Sequence, residues 1–207
     1  MPLVVPTAAS DTASDTAADS ARSRILDEAA ILFLRRGYEG TSLRHLAEVV
    51  GMKAGSLYYH FSSKDELLTT ILERGIEVMH EAFDRAEHEH GDADPSVRVG
   101  AHIRAHLSAL YENGPYTAAH VVTFRTAPET VRAALVPTRD AYEARWTTLL
   151  RDLQSTGSVA TDVDVNVARL ALFGAMNSSV EWFDPERGGL DRFADAITRQ
   201  FWHGASA

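Results

Sequence analysis

Between residues 41 and 64 the chain sets hydroxyls, cations and aromatic donors at close spacing: Thr41, Ser42, Arg44, Lys53, Ser56, Tyr58, Tyr59, His60 and Lys64, with Ala54 and Gly55 among them. Such groups suit a polyanion. Guanidinium and ammonium groups pair with phosphate, and hydroxyls reach phosphate or base edges. The Ala54 methyl can meet a thymine methyl, and Gly55, without a side chain, lets the backbone come close. A second set lies further along: His102, His106, Tyr111, Tyr116, His120, Phe124, Arg125, Trp146, Phe173 and Asn177. Aromatic bodies with a few polar groups are what a small-molecule cavity needs. His102 and His106, four apart, could share a metal with His120, but no carboxylate or further ligand stands at a diagnostic spacing, so neither metal nor cofactor is expected.

Other chemistry is excluded. The chain has no cysteine, which removes disulfides, thiolate metal sites and thiol nucleophiles together and suits a reducing cytoplasm. No Gly-Xaa-Ser-Xaa-Gly elbow, phosphate loop, dinucleotide fingerprint or His-Glu-Xaa-Xaa-His occurs, so no catalytic activity is expected. No secretory signal and no run of apolar residues long enough to span a bilayer is present, and no membrane partner is expected.

The elements that must position these residues read as helices throughout. Residues 1–19, rich in Ala, Ser, Thr and Asp, read as a disordered, solvated tail. From Ser20, Ile25, Leu26, Ala29, Ala30, Phe33 and Leu34 recur at helical spacing until Gly37. Two short helices follow, the first opened by Thr41 or Ser42 and the second running from Lys53 to His60, with Gly51-Met52 between them. Ser63 and Glu66 then match a capping box that opens a long helix. Further helical segments are predicted over 97–111, 116–124, 129–154, 164–183 and 190–202, separated by Gly- and Pro-containing breaks. No stretch alternates as a strand does, so the fold class is all-α, with about nine helices.

Two short helices joined at a glycine form a helix-turn-helix, in which the second drops its N-terminal half into the DNA major groove. The charge distribution agrees. The whole chain carries −9, yet residues 20–65 hold seven Lys and Arg against five acids, and both lysines of the protein lie there. A basic module on an acidic body is the expected balance when one part touches DNA and the rest must not. Arg22 and Arg24, just beyond the tail, could also reach phosphate.

The run Gly37-Tyr38-Glu39-Gly40-Thr41-Ser42-Leu43-Arg44-His45-Leu46-Ala47, then Gly51-Met52-Lys53-Ala54-Gly55-Ser56-Leu57-Tyr58-Tyr59-His60-Phe61, then Ser63-Lys64-Asp65-Glu66-Leu67-Leu68, closely resembles the DNA-binding domain of the TetR family of bacterial transcriptional regulators. The likeness covers about residues 22–70; beyond it only helical layout and length are similar. By that resemblance Arg44 stands where tetracycline-type repressors read a base, and Tyr58, Tyr59 and His60 stand where the family touches phosphate. Lys64, at a helix start, is a phosphate clamp on physical grounds as well. Lys53 departs from the family pattern, which often has a Ser cap there, so the recognition helix is expected to lack a side-chain cap.

The resemblance implies a helix-turn-helix domain at 20–65, a ligand-binding and dimerisation domain at 66–207, and a cytoplasmic homodimeric repressor released from a palindromic DNA operator by a small hydrophobic effector. The recognition-helix string looks most like members that control lipid or steroid breakdown and answer to acyl-CoA; Arg104, Arg125, Arg132 and Arg145 could then meet CoA phosphates. Small and apolar residues on two late helices, Val167, Leu170, Ala171, Gly174, Ala175, Ser178, Phe193, Ile197 and Phe201, are the expected dimer interface. An activator on the same scaffold, or an all-α ligand-binding protein or enzyme without DNA binding, are the alternatives.

Overall fold

A computed structural model describes residues 11–205, and every regular element among them is a helix. In chain order these are α1 (Asp11–Arg36), α2 (Leu43–Val50), α3 (Ala54–His60), α4 (Lys64–His90), α5 (Pro95–Tyr111), α6 (Tyr116–Thr123), α7 (Glu129–Ser155), α8 (Val165–Ser178), α9 (Pro185–Gly188) and α10 (Leu190–Ala205), with short 3-10 turns at Phe124–Thr126 and Ser179–Glu181. The all-α reading holds. Three boundaries differ from expectation. α1 begins at Asp11 rather than near Ser20, because Ala and polar residues without a Pro or Gly break do not oppose a helix. The rest of the expected tail, residues 1–10, lies outside the described residues. The helix expected to run to Phe183 ends at Ser178 in a 3-10 turn, and Asp184, accepting from the Glu186 N–H, opens the extra single-turn α9 where a plain connection was expected.

Local chemistry fixes the small helices. Ser42 caps α2 by accepting from the His45 N–H at 3.1 Å, and Gly51 closes it at φ +74°, with Met52 N–H donating to the Ala47 carbonyl at 2.8 Å. α3 has no side-chain cap at Lys53, as the sequence departure predicts. Ser63 caps α4 through the Glu66 N–H, while the Glu66 carboxylate turns back to the N–H of Ser62.

Two cores share α4. One gathers Ile25, Phe33, Leu46, Leu57, Phe61, Leu67 and Leu68 from the first four helices. The other surrounds the fully buried Trp146 with Phe83, Ile103, Leu149 and Met176. The first extends to Ile76 on α4 and takes in Tyr116, Ala119 and Leu135, so it reaches past residue 65 into α6 and α7. α4 is therefore one rigid rod embedded at both ends.

Candidate nucleic-acid interface and ligand cavity

On the helix-turn-helix, Ser42, Arg44, Lys53, Ala54, Gly55, Ser56, Tyr58 and Tyr59 are all exposed, while Leu46, Ala47, Val50 and Leu57 turn inward. Tyr59 stands 83% exposed, far more than a tyrosine needs for packing alone. A Cβ at Gly55 would meet nothing within 4 Å, so the fold itself does not require glycine there. His60 is half-buried at the end of α3, edge-on to Tyr59. Lys64 is also half-buried, its ammonium 3.9 Å from the centre of the Tyr38 ring, and desolvation there lowers its pKa against the pull of Glu39 and Asp65.

Three residues expected near phosphate also bond within the protein. Thr41 is buried and donates to the Gly37 carbonyl at 3.0 Å, which takes it off the exposed face; its hydroxyl finishes the turn between α1 and α2. Arg22 donates to the His60 carbonyl at 2.7 Å and lies over Phe61, and Arg24 donates to the Val50 carbonyl at 3.1 Å. Both arginines thus meet the carbonyl ends of α3 and α2, Arg22 half-buried and Arg24 still exposed to solvent. Arg44 forms an i,i+4 pair with Glu48 at 3.4 Å, an exposed contact that phosphate or a base can replace at little cost.

A cavity of about 470 Å³ opens between α4, α5, α6, α7 and α8. Of the ten expected ligand residues, His106, His120, Phe124, Arg125, Phe173 and Asn177 line it. The other four are elsewhere. His102, one turn before His106 on the same face of α5, donates to Glu87 at 2.8 Å, and Tyr111 bonds Ser179 at 2.8 Å. Trp146 fills the core, and Tyr116 points to Asp27. A helix face carrying several aromatics does not reveal which of them meet empty space. His102 and His106 bond different partners, and among the described residues no group of three His, Asp or Glu is placed to hold a metal.

Sequence reasoning missed Ile76, Met79, Val121, Arg139, Tyr142 and Glu143 in the wall. Helical spacing marks the apolar ones and Tyr142 only as inward-facing, and Arg139 and Glu143 as solvated charges. His106 accepts from the Tyr142 hydroxyl at 2.9 Å and donates to Asn177 Oδ1 at 2.9 Å. Burial lowers its pKa to about 4, and burial followed by the nearby Arg139 charge does the same for His120. The two buried histidines of the wall are thus uncharged at neutral pH. The rim is cationic: Arg125 and Arg132 line it, and neither is within reach of a carboxylate among the described residues. Of the other arginines expected near an anionic ligand, Arg104 pairs with Glu112 and Asp191, and Arg145 with Asp84.

Residues 25–71 match the model for bacterial regulatory proteins of the tetR family, and residues 92–204 match that for tetracyclin repressor-like C-terminal domains. The chain belongs to the TetR family. It is 30% identical to the transcriptional repressor KstR2 of Rhodococcus jostii (strain RHA1), over 96% of this chain and 94% of that one. Its fold matches the ketosteroid transcriptional regulator KstR2 of Mycobacterium tuberculosis with a TM-score of 0.77 at 23% identity, covering 90% and 95% of the two chains. It matches AibR, solved with isovaleryl coenzyme A and operator DNA, with a TM-score of 0.78 at 24% identity, covering 87% and 97%. As a TetR-family member the chain is a DNA-binding transcriptional regulator, of a family whose partners are operator DNA, a second copy and a small-molecule effector.

In this TetR-family chain α6 is bolted to its neighbours. Thr117 donates to the Gly75 carbonyl at 3.1 Å and His120 to the Leu72 carbonyl at 3.0 Å. A Cβ on Gly75 would lie 2.7 Å from the Tyr116 carbonyl oxygen, so only glycine permits the approach. The Tyr116 hydroxyl donates to Asp27 on α1 at 2.5 Å and accepts from Arg74 at 3.2 Å. One short helix therefore touches the cavity, α4 and the DNA-binding domain.

On α8, Val167, Leu170, Ala171, Gly174, Ala175 and Ser178 are all exposed, Val167 and Leu170 by about 60%. On α10, where the helix packs against α5, Ile197 is buried in the monomer core and so is taken off a dimer face, while Phe193 and Phe201 are half-buried. Among the described residues no helix is long and apolar enough to cross a membrane.

Proposed function

We propose that the chain is a homodimeric, cytoplasmic, non-enzymatic repressor, needing no cofactor, that leaves a palindromic operator when a hydrophobic effector of the acyl-CoA kind enters the cavity. The observation that carries this reading is the path of α4. Its first turn holds Lys64 beside the exposed recognition helix, and Ile76 and Met79, three and four turns on, stand in the cavity wall. A ligand that displaces those side chains levers the recognition helix. In a dimer with half-sites about 34–36 Å apart, a small tilt takes both recognition helices out of register with the grooves.

The contact set Ser42, Arg44, Lys53, Ala54, Gly55, Ser56, Tyr58, Tyr59, His60 and Lys64 supplies the DNA side, and the exposed α8 stripe the dimer side. Arg125 and Arg132 favour an anionic head group, and the isovaleryl coenzyme A held by AibR, a protein of the same fold, supports a thioester. The test is to select bound sequences from random DNA, then titrate the selected duplex complex with a series of acyl-CoAs. Release by an acyl-CoA and not by free CoA is the expected result; a pool indistinguishable from random DNA ends the reading.

A further inference from the structure

The cavity wall contains one carboxylate among the described residues, Glu143, and it is held by two arginines from different helices. Arg139, one turn earlier on α7, reaches it at 3.5 Å while its guanidinium lies 4.0 Å from the centre of the Phe124 ring. Arg169, from α8, bonds the other carboxylate oxygen and is mostly buried, with its Nε lacking any partner. Three of the cavity's lining groups are cations, yet only Arg125 and Arg132 are free of a carboxylate.

We propose that Glu143 is the cavity's internal counter-ion and sets which anions it accepts. The proposal rests on the reading of this cavity as an effector site. With Glu143 in place, an entering head group of single charge meets Arg125 and Arg132 only. Arg139 becomes available to a head group that carries enough charge to displace Glu143, which then turns wholly to Arg169. A carboxylate in the wall therefore selects polyanionic amphiphiles over monoanionic ones of the same chain length. A bare cluster of three arginines would bind both. Neutral amphiphiles make no use of any of these charges and are indifferent to Glu143.

The test is calorimetric titration of octanoate and 1-octanol into the purified protein and into Glu143→Gln, with Glu143→Met as a second neutral variant of similar reach should the first fail to fold. Removing the carboxylate is expected to tighten octanoate by about tenfold, the worth of one charge-assisted contact, and to leave octanol unchanged. The gain is expected to vanish when Arg139→Gln is added. Arg169→Met, which cuts the α7–α8 tie but leaves Glu143 on Arg139, is expected to keep the octanoate-to-octanol ratio of the parent. Equal changes for both probes, or the same octanoate gain in Arg169→Met, would mean loosened packing and overturn the proposal while leaving the effector site standing. No binding of either probe to parent or variants would overturn both.

Discussion

Gly55 on α3 and Gly174 on α8 sit on exposed helix faces where the fold leaves room for a side chain. A glycine inside a helix costs up to about 1 kcal/mol relative to alanine, so one with open space around it calls for a reason outside the monomer. At Gly55 that reason is the major groove. Gly55→Ala is expected to raise the urea-unfolding free energy by up to about 1 kcal/mol and to weaken operator binding by about tenfold, since one base contact is worth roughly 1–3 kcal/mol. Opposite signs in the two measurements separate a docking role from a folding one; unchanged operator affinity would place the start of α3 away from the bases. Thr41 is the contrasting residue. Its type and position suit phosphate, but its hydroxyl is consumed by the Gly37 carbonyl, a partner that sequence spacing does not display.

Among the elements, α6 has the most connections for its length, and its role is the least legible in the sequence. Tyr116 and His120 read alike there, as polar aromatics on one short helix; in space Tyr116 reaches α1 and His120 lines the cavity. If α6 carries effector binding to the DNA-binding domain, the Tyr116–Asp27 bond is part of the route. Tyr116→Phe is expected to keep effector affinity within about twofold and cost about 1 kcal/mol of stability, the worth of one hydrogen bond. It is also expected to weaken the effector's ability to dissociate the operator complex, measured as the ratio of operator Kd with and without effector. By reciprocity the effect must appear equally in effector affinity with and without operator. An unchanged ratio would leave α4 as the sole route. The recognition helix, its caps and the long α4 are legible because capping residues and helical periods are local in sequence. The cavity wall is legible only in part. Inward-facing residues of α4, α6 and α7 share one pattern whether they meet a neighbour or a void, and Glu143, with Arg139, Asp140 and Arg145 within four positions on a long helix, has the pattern of a solvated charge.

At the scale of the molecule, surface and interior ask different things of the same chain. The α8 stripe leaves Val167 and Leu170 in water, and a Cβ at Gly174 between them and Ser178 would meet nothing within 4 Å. Gly174→Ala is therefore expected to stabilise the helix yet loosen the dimer, read as a rise in the dimer dissociation constant by sedimentation equilibrium; an unmoved constant would put the two-fold contact elsewhere. The interior depends on neutral histidines. Burial lowers His106 and His120 from the ordinary 6.5 to about 4, and burial also lowers His102, against its bond to Glu87. A histidine with a depressed pKa in the folded state binds its proton more readily when unfolded. The stability this contributes is full above 6.5 and lost as pH falls towards 4, at about 2 kcal/mol each for His106 and His120 between pH 7.5 and pH 5. Asp84 is held below its usual range chiefly by Arg145, and Glu87 lies below its own despite burial, because Arg98 and His102 bond it; both act only below about pH 4.5, outside that interval. Urea unfolding of the dimer at fixed protein concentration should thus show a steady fall in free energy from pH 7.5 to 5. His120→Gln should flatten it by roughly half, because a glutamine can still donate to the Leu72 carbonyl and takes up no proton. A flat profile in the parent would mean that water reaches these rings, and with it that the cavity is wet down to its buried wall.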